Sequence, residues 1–175
     1  MRNLAQDHDF GPALPSDKVV TIFRPSLPYS EMEDRSHTPM AQQSFLPGSD
    51  SFAATAAPDG RYGAFFDDDG ESAYFYALDL DSDDLILDAV RVYDKARYPH
   101  RKRHTSLSIE WSPDGDRCAL LLDGVPQAAF DFEAQRGFSR NNLPAPVRLS
   151  RNSWPGSDHS WSDAAVDWLD LRKSA

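Results

Sequence analysis

The segment Ser112-Pro-Asp-Gly-Asp-Arg-Cys-Ala-Leu-Leu-Leu122 indicates the architecture of this chain, because a closely similar segment occurs a second time. Its counterpart is Ala57-Pro-Asp-Gly-Arg-Tyr-Gly-Ala-Phe-Phe-Asp67, 55 positions earlier (Pro113 against Pro58). In each copy proline presets φ, aspartate bonds the local backbone and glycine adopts a positive φ, so a tight turn leads directly into a strand. A second glycine turn and an aromatic strand that ends in aspartate follow. The sequence therefore predicts two related hairpin units.

Short β segments separated by glycine-containing turns fill residues 51–150, which we interpret as the β domain. In Ser106-Leu-Ser-Ile-Glu-Trp111, apolar and polar residues alternate, as in an antiparallel strand with one buried face. We predict seven strands, at residues 52–57, 62–67, 73–80, 85–94, 105–111, 117–123 and 127–132. We expect a mainly β (α+β) protein: an antiparallel sheet or small β-sandwich built from two related hairpin units, with one C-terminal helix.

The two flanks of the β domain differ from it in composition. Residues 1–50 hold six of the 13 prolines and one strand candidate, Lys18-Val-Val-Thr-Ile-Phe-Arg24, so we interpret them as a Pro-rich N-terminal arm. In residues 151–175, Trp161, Ala165, Trp168 and Leu169 recur at helical spacing. This spacing predicts an amphipathic helix over residues 162–173 that docks its tryptophan face on the sheet.

Composition narrows the class of protein. The chain has 175 residues, a net charge of −10 and a single cysteine, Cys118. The longest apolar run, residues 73–78, is far shorter than the roughly 20 residues that span a bilayer, and no apolar leader follows the N-terminus. We expect a cytoplasmic protein that binds neither membrane nor nucleic acid. The acidic balance favours a basic protein partner.

Carboxylates dominate residues 62–90, where no lysine or arginine occurs. Tested as a calcium-binding EF-hand loop, this stretch lacks the required glycine and the bidentate glutamate, so we expect no metal and no cofactor. We predict instead that the acids form a surface for a basic partner. The predicted contact residues are Asp67, Asp68, Asp69, Glu71, Asp81, Asp83 and Asp84.

Two further arginines and a basic segment follow these acids. The turn-rich stretch Arg136-Gly-Phe-Ser-Arg-Asn-Asn-Leu-Pro144 carries Arg136 and Arg140, which either contact the partner or bond loop carbonyls and acidic residues. Residues 91–103 hold six lysines and arginines, which either neutralise the acidic loops or bind phosphate; a solvated basic loop is the simpler interpretation.

The chain lacks the motifs of common catalytic sites. It has no Gly-x-Ser-x-Gly, no phosphate-binding glycine loop and no His-Glu-x-x-His. We therefore expect a protein without catalytic residues. The rival hypothesis is an enzyme or small-ligand-binding protein with a site in a β-sheet concavity lined by Tyr74, Tyr76, Trp111 and Arg140.

Several strings carry a family resemblance: Phe65-Phe-Asp-Asp-Asp-Gly-Glu-Ser-Ala-Tyr-Phe-Tyr-Ala-Leu-Asp79, Ile86-Leu-Asp-Ala-Val-Arg-Val-Tyr93, Ile109-Glu-Trp-Ser-Pro-Asp-Gly115, and Phe130 to Phe138. Over residues 50–145 the chain resembles a small bacterial family known only as a domain of unknown function, which implies no activity. By size and charge it also resembles immunity proteins, which neutralise a cognate toxin. The leading hypothesis is therefore a non-enzymatic immunity-type module that occludes a basic toxin through an acidic face.

Overall fold

The protein folds into nine β-strands in two antiparallel sheets, as seen in a computed structural model that describes residues 41–83, 85–141, 154–155 and 158–169. The strands are β1 (Ala41–Phe45), β2 (Ser51–Ala56), β3 (Tyr62–Asp68), β4 (Ser72–Asp79), β5 (Ile86–Asp94), β6 (Thr105–Trp111), β7 (Arg117–Leu122), β8 (Val125–Asp131) and β9 (Arg136–Ser139). The predicted mainly β architecture is confirmed, and all seven predicted strands occur.

Each repeat unit forms its own sheet. Strands β2-β3-β4-β5 make the four-stranded sheet, and β6-β7-β8-β9 make the five-stranded sheet together with β1, which pairs with β6. The two Pro-Asp-Gly turns join β2 to β3 and β6 to β7, and a backbone hydrogen bond closes each one (Gly60 to Ala57, 2.9 Å; Gly115 to Ser112, 2.9 Å). Sequence repetition has therefore produced two equivalent meanders.

The main core lies between the two sheets. Along β6, the inward residues Leu107, Ile109 and Trp111 are buried while the residues between them are more exposed. Phe75 of the four-stranded sheet stacks on Phe130 of the five-stranded sheet, with ring centroids 5.0 Å apart. Burying a side chain of this size contributes about 1.5 to 3 kcal/mol, so this layer supplies much of the stability.

Side chains and loop backbone close the sandwich at its edges. Gln43 donates to the carbonyl of Phe52 (3.0 Å) where β1 meets β2. Where β5 meets β9, Ser139 Oγ donates to the carbonyl of Arg91 (2.8 Å), Asn141 Nδ2 donates to the carbonyl of Val92, and the Trp154 amide donates to Leu87 (2.8 Å). These contacts cover the edge of β5 that is not paired with another strand of its own sheet.

Three details differ from expectation. Residues 163–166, predicted to lie in a longer helix, form a short 3₁₀-helix (Asp163–Val166); residues 170–175 lie outside the described part of the chain. An α-helix would bond the Ala165 carbonyl to the Leu169 amide, but Trp168 Nε1 donates to that carbonyl (2.9 Å) and Leu169 bonds Val166 instead. Strands β1 and β9 are not among the predicted strands, and the strand candidate at residues 18–24 is also outside the described residues.

Candidate functional site

The first predicted acidic group, in and beside the β3–β4 turn, is largely engaged within the protein. Asp68 is fully buried and accepts hydrogen bonds from the Gly48 amide (2.5 Å), the Gly70 amide (2.9 Å) and the Tyr93 hydroxyl (2.7 Å). Asp67 is also buried, and Asp69 accepts from the two amides that close the turn. Of this group, Asp69 and Glu71 are exposed to a partner.

The second predicted acidic group lies at the opposite end of the sandwich. Asp81 and Asp83 are exposed and follow the last residue of β4, whereas Asp69 and Glu71 precede its first; Asp84 lies outside the described residues. Eight residues of extended strand separate the groups, a length of about 26 Å at roughly 3.3 Å per residue. The structure therefore does not bring the predicted acids together into one face.

A denser acidic surface, which sequence reasoning missed, surrounds Asp81 and Asp83. The two Pro-Asp-Gly turns lie side by side there: a Cβ placed on Gly115 would lie 3.3 Å from Pro58 Cδ and 3.7 Å from Asp59 Oδ1. We call this surface the acidic end. Its described carboxylates are Asp59, Asp79, Asp81, Asp83, Asp114, Asp116, Asp131 and Glu133. The internal repeat is the sequence feature that could have revealed this surface, because it places two equivalent aspartate-containing turns at the same end of the sandwich.

The carboxylates of the acidic end fall into two kinds. Four of them accept local backbone hydrogen bonds that shape their own turns: Asp59, Asp79, Asp114 and Asp131. The Ser112 hydroxyl and the Asp116 amide both donate to Asp114 and lower the pKa of its carboxyl, which keeps it ionised. The other four are exposed and have no such structural role: Asp81, Asp83, Asp116 and Glu133.

A basic loop, residues 95–104, lies at the opposite end of the sandwich, beside Asp69 and Glu71. The Lys95 amide bonds the carbonyl of Glu71 (2.8 Å), and Arg103 pairs with Asp123 (2.7 Å). Tyr98 stacks on Tyr93 at 4.4 Å, which fixes the loop on the sandwich. Cations and acids are therefore mixed at this end, and the acidic end is the more uniformly negative of the two.

Arg136 and Arg140 hold the C-terminal residues against the outside of the five-stranded sheet. Arg136 pairs with Asp158 (3.5 Å). The Arg140 guanidinium lies 4.2 Å from the Trp161 ring centroid, and its Nε donates to the Pro126 carbonyl (2.7 Å). These contacts match the structural alternative for the two arginines, since Arg136 pairs with an acidic residue and Arg140 bonds a backbone carbonyl.

A serine, a histidine and an aspartate meet where β5 and β9 adjoin. Buried His159 places Nε2 2.9 Å from Asp88 Oδ2, and its carbonyl accepts from the Ser139 amide (3.0 Å). The fully buried Ser139 hydroxyl donates to the Arg91 carbonyl, so it is not oriented as a nucleophile. Gly137 allows the close packing, since a Cβ there would lie 2.5 Å from Asp88 Oδ2. This cluster joins the two sheets.

The four residues predicted to line a concavity occupy three different surfaces. Trp111 lies in the core between the sheets, stacked on Phe132 at 5.5 Å. Tyr74 and Tyr76 belong to a separate buried cluster on the other face of the four-stranded sheet, where burial and the charge of Asp67 raise the pKa of Tyr76. Arg140 contacts Trp161 on the outside of the five-stranded sheet. The structure does not assemble the predicted concavity from these residues.

The described residues form neither a metal-binding cluster nor a membrane-spanning helix. No three histidine, cysteine, aspartate or glutamate side chains in the described ranges converge in a way that would hold a metal ion. In the same part of the chain, no helix has both the length and the apolar character needed to cross a membrane.

The described residues thus form a two-sheet antiparallel β-sandwich of paired meanders, with acidic turns at one end. The bacterial family described as "Uncharacterized protein conserved in bacteria (DUF2251)" matches residues 45–170, and the chain belongs to this family. It is also 32% identical over 113 residues to an uncharacterized protein of Haemophilus influenzae, covering 64% of this chain and 68% of that protein. The predicted family resemblance is thus confirmed. No solved structure matches the chain.

Proposed function

We propose that this protein is a non-enzymatic binding module that occludes a basic partner protein in the cytoplasm, as an immunity protein occludes a toxin. One observation carries the proposal: the acidic end combines four exposed carboxylates that have no structural role with four others that shape its turns. The binding surface proposed here is therefore the acidic end rather than the full set of acids from Asp67 to Asp84.

Electrostatics supports a basic partner at this end. Clustered charge of one sign on a protein surface raises the rate of encounter with an oppositely charged partner by about 10- to 1000-fold at low salt. The acidic end has three arginines in its turns and strand ends, and two of them, Arg117 and Arg136, are paired with Asp167 and Asp158. Its carboxylates thus outnumber its cations, and the acidic end presents a negative potential to the solvent.

Contacts other than charge have to supply most of the affinity, since exposed ion pairs contribute little. Pro58 and Pro113 are both exposed at the tips of the adjacent turns and offer apolar surface between the aspartates. Both turns are rigid, because each is closed by its own backbone hydrogen bond, so little conformational entropy is lost on binding.

The experiment compares two charge-matched variants of the full chain. Tagged protein is first purified from its native host at low and high salt to obtain the partner. Association rates are then measured for the purified partner with wild type, Asp81→Asn/Asp83→Asn and Asp69→Asn/Glu71→Gln. Each double variant removes two charges, and the asparagine placed at position 69 keeps an acceptor oxygen for the two amides of its turn.

We expect the Asp81→Asn/Asp83→Asn variant to associate about three- to tenfold more slowly at low salt, with a smaller salt dependence than wild type. The Asp69→Asn/Glu71→Gln variant should associate at close to the wild-type rate. If both variants slow association equally, the net charge of the whole molecule attracts the partner and the acidic end does not. If neither variant changes the association rate, docking at the acidic end is excluded.

A further inference from the structure

The second candidate interaction surface is the outer face of the five-stranded sheet. Its apolar residues Ala119, Leu121, Ala129 and Phe138 form a cluster separate from the core between the sheets. Residues 160–169, which we call the strap, lie across this face. Ala165, Val166 and Leu169 of the strap complete the cluster, and Trp161 and Trp168 pack against it.

Charge complementarity accompanies the apolar contact. Arg117 Nη1 of β7 lies 3.1 Å from Asp167 Oδ1, and Arg140 Nη2 lies 4.0 Å from Asp163 Oδ1. The Arg140 guanidinium also stacks on the Trp161 ring at 4.2 Å. The face is thus an apolar stripe flanked by two arginines, and what covers it is a short acidic segment with two tryptophans.

The strap is held more weakly than the strands beneath it. The Asp163 and Asp167 side chains are 90% and 66% exposed, so their ion pairs are screened by water and salt. At the start of the strap the chain is anchored by buried His159 on Asp88 and by the Ser139–Ser160 bridge. Beyond that anchor, the strap contains the short 3₁₀-helix Asp163–Val166 and contacts the sheet through side chains.

We propose that the outer face of the five-stranded sheet is a docking groove for an acidic, tryptophan-containing peptide of a partner protein. The strap occupies this groove in cis and is replaced when the partner's peptide binds. The groove adjoins the acidic end at Arg117 but selects the opposite charge. It is probed with an acidic peptide instead of the basic partner, so its test is independent of the function proposed above.

The test adds a fluorescent peptide, Ser-Trp-Ser-Asp-Ala-Ala-Val-Asp-Trp-Leu, which copies residues 160–169, to the full-length chain. The Asp163→Asn/Asp167→Asn chain has a weakened strap and an intact groove, so we expect it to bind the peptide about fivefold more tightly than wild type does. The Asp69→Asn/Glu71→Gln chain, which loses two charges in the β3–β4 turn and none on the strap, is the control and should bind as wild type does.

The groove residues are tested with the same peptide. Combining Arg117→Gln and Arg140→Gln with the weakened strap should reverse the gain and remove the salt dependence of binding. The proposal is overturned if the weakened-strap chain binds the peptide no better than wild type, or if the arginine substitutions leave binding unchanged. It is also overturned if the weakened-strap chain dimerises by exchanging straps, because the occupant is then a second copy.

Hydrogen exchange of the wild-type chain tests strap opening even if a variant fails to fold. The Ala165 and Leu169 amides, bonded to Ser162 and Val166, should exchange several-fold faster at high salt than at low salt. Amides in β7 and β8 should not change. If the strap amides exchange only as slowly as those of β7, the strap does not open and the proposal is overturned.

Discussion

The two repeat units place an aspartate at the same position and use it differently. Asp68 ends β3, and Asp123, 55 positions later, follows β7. Asp68 is fully buried and accepts three hydrogen bonds, one of them from the Tyr93 hydroxyl. Asp123 is exposed, accepts from the Ser106 amide (2.9 Å) and pairs with Arg103. Both aspartates hold the neighbouring loop, one inside the protein and one in water.

The difference shows how a duplicated turn acquires separate energetic roles. A buried carboxylate is tolerated only when hydrogen bonds replace its water, and Asp68 has three. Burial of Tyr93, together with its bond to Asp68, raises the pKa of that tyrosine. Asp123 remains exposed to solvent, and its ion pair with Arg103 contributes little free energy. The same residue in the same motif should therefore stabilise the two units unequally.

The largest expected effect is that of Asp68→Ala. The substitution leaves the Tyr93 hydroxyl and the amides of Gly48 and Gly70 without their acceptor inside the protein, which should cost about 3 to 5 kcal/mol of unfolding free energy. The equivalent substitution Asp123→Ala should cost about 2 kcal/mol, because it removes an exposed ion pair and the acceptor of the Ser106 amide and places alanine at a φ of 49°. Urea unfolding of both variants checks the difference. Equal losses would mean that burial adds nothing to the bonds of Asp68.

A smaller contrast is expected at the twin turn glycines. Gly60 and Gly115 have φ of 76° and 79°, so alanine at either position is strained by about 1 kcal/mol. At Gly60 the added Cβ would meet open space, whereas at Gly115 it would contact Pro58 and Ala57 of the other unit at 3.3 and 3.4 Å. We expect Gly115→Ala to cost about 2 kcal/mol and Gly60→Ala about half of that, measured by thermal unfolding. A greater loss at Gly60 would contradict the packing of the two turns.

The smallest effect concerns Ser112, whose repeat partner is Ala57. Ser112 Oγ donates to Asp114 and accepts from the Arg117 amide, and the bond to Asp114 lowers the pKa of that carboxyl. We expect Ser112→Ala to cost about 1 kcal/mol at neutral pH. Because the pKa of Asp114 is lowered in the folded state, its carboxylate stabilises the folded protein at pH values above the ordinary aspartate pKa of about 3.9. This stability is lost as the pH falls through the folded-state pKa.

The free energy of unfolding, measured between pH 2 and pH 7, tests the direction of this pH dependence. The difference between Ser112→Ala and wild type should shrink as Asp114 becomes protonated, leaving the part due to the Arg117 amide bond. Ala57→Ser supplies the reverse comparison, because it adds a hydroxyl to the turn that lacks one. A difference that grows toward acid pH would show that the Ser112–Asp114 bond does not stabilise the charged carboxyl.

Local patterns predict the strands of both units because turn chemistry and alternation act over a few residues. Local patterns do not predict strand β9, because Arg136-Gly-Phe-Ser139 is short, begins with an arginine and is followed by another. Its pairing with β8 depends on contacts that a local pattern does not contain. The C-terminal helix is predicted from spacing alone. Contacts with the sheet and the bond from Trp168 to Ala165 favour a shorter turn there.

The candidate site is predicted less well because sequence proximity does not equal spatial proximity in a meander. Asp69 and Asp81 are twelve positions apart, yet the whole of β4 lies between them and holds them at opposite ends. Asp59 and Asp116 are far apart in sequence, yet the packing of two turns brings their segments together. Successive hairpin turns alternate between the two ends of a meander, and this rule alone assigns the two groups of acids to opposite ends.

The covered edge of β5 also limits the ways in which this protein can associate. Backbone groups at an open sheet edge can template the addition of a foreign strand, which is the first step of much protein aggregation. Here the carbonyls of Leu87, Arg91 and Val92 are already bonded to Trp154, Ser139 and Asn141. A concentrated solution of the protein is therefore protected at this edge from sheet-to-sheet growth, and a partner approaching it meets side chains instead of a vacant ladder.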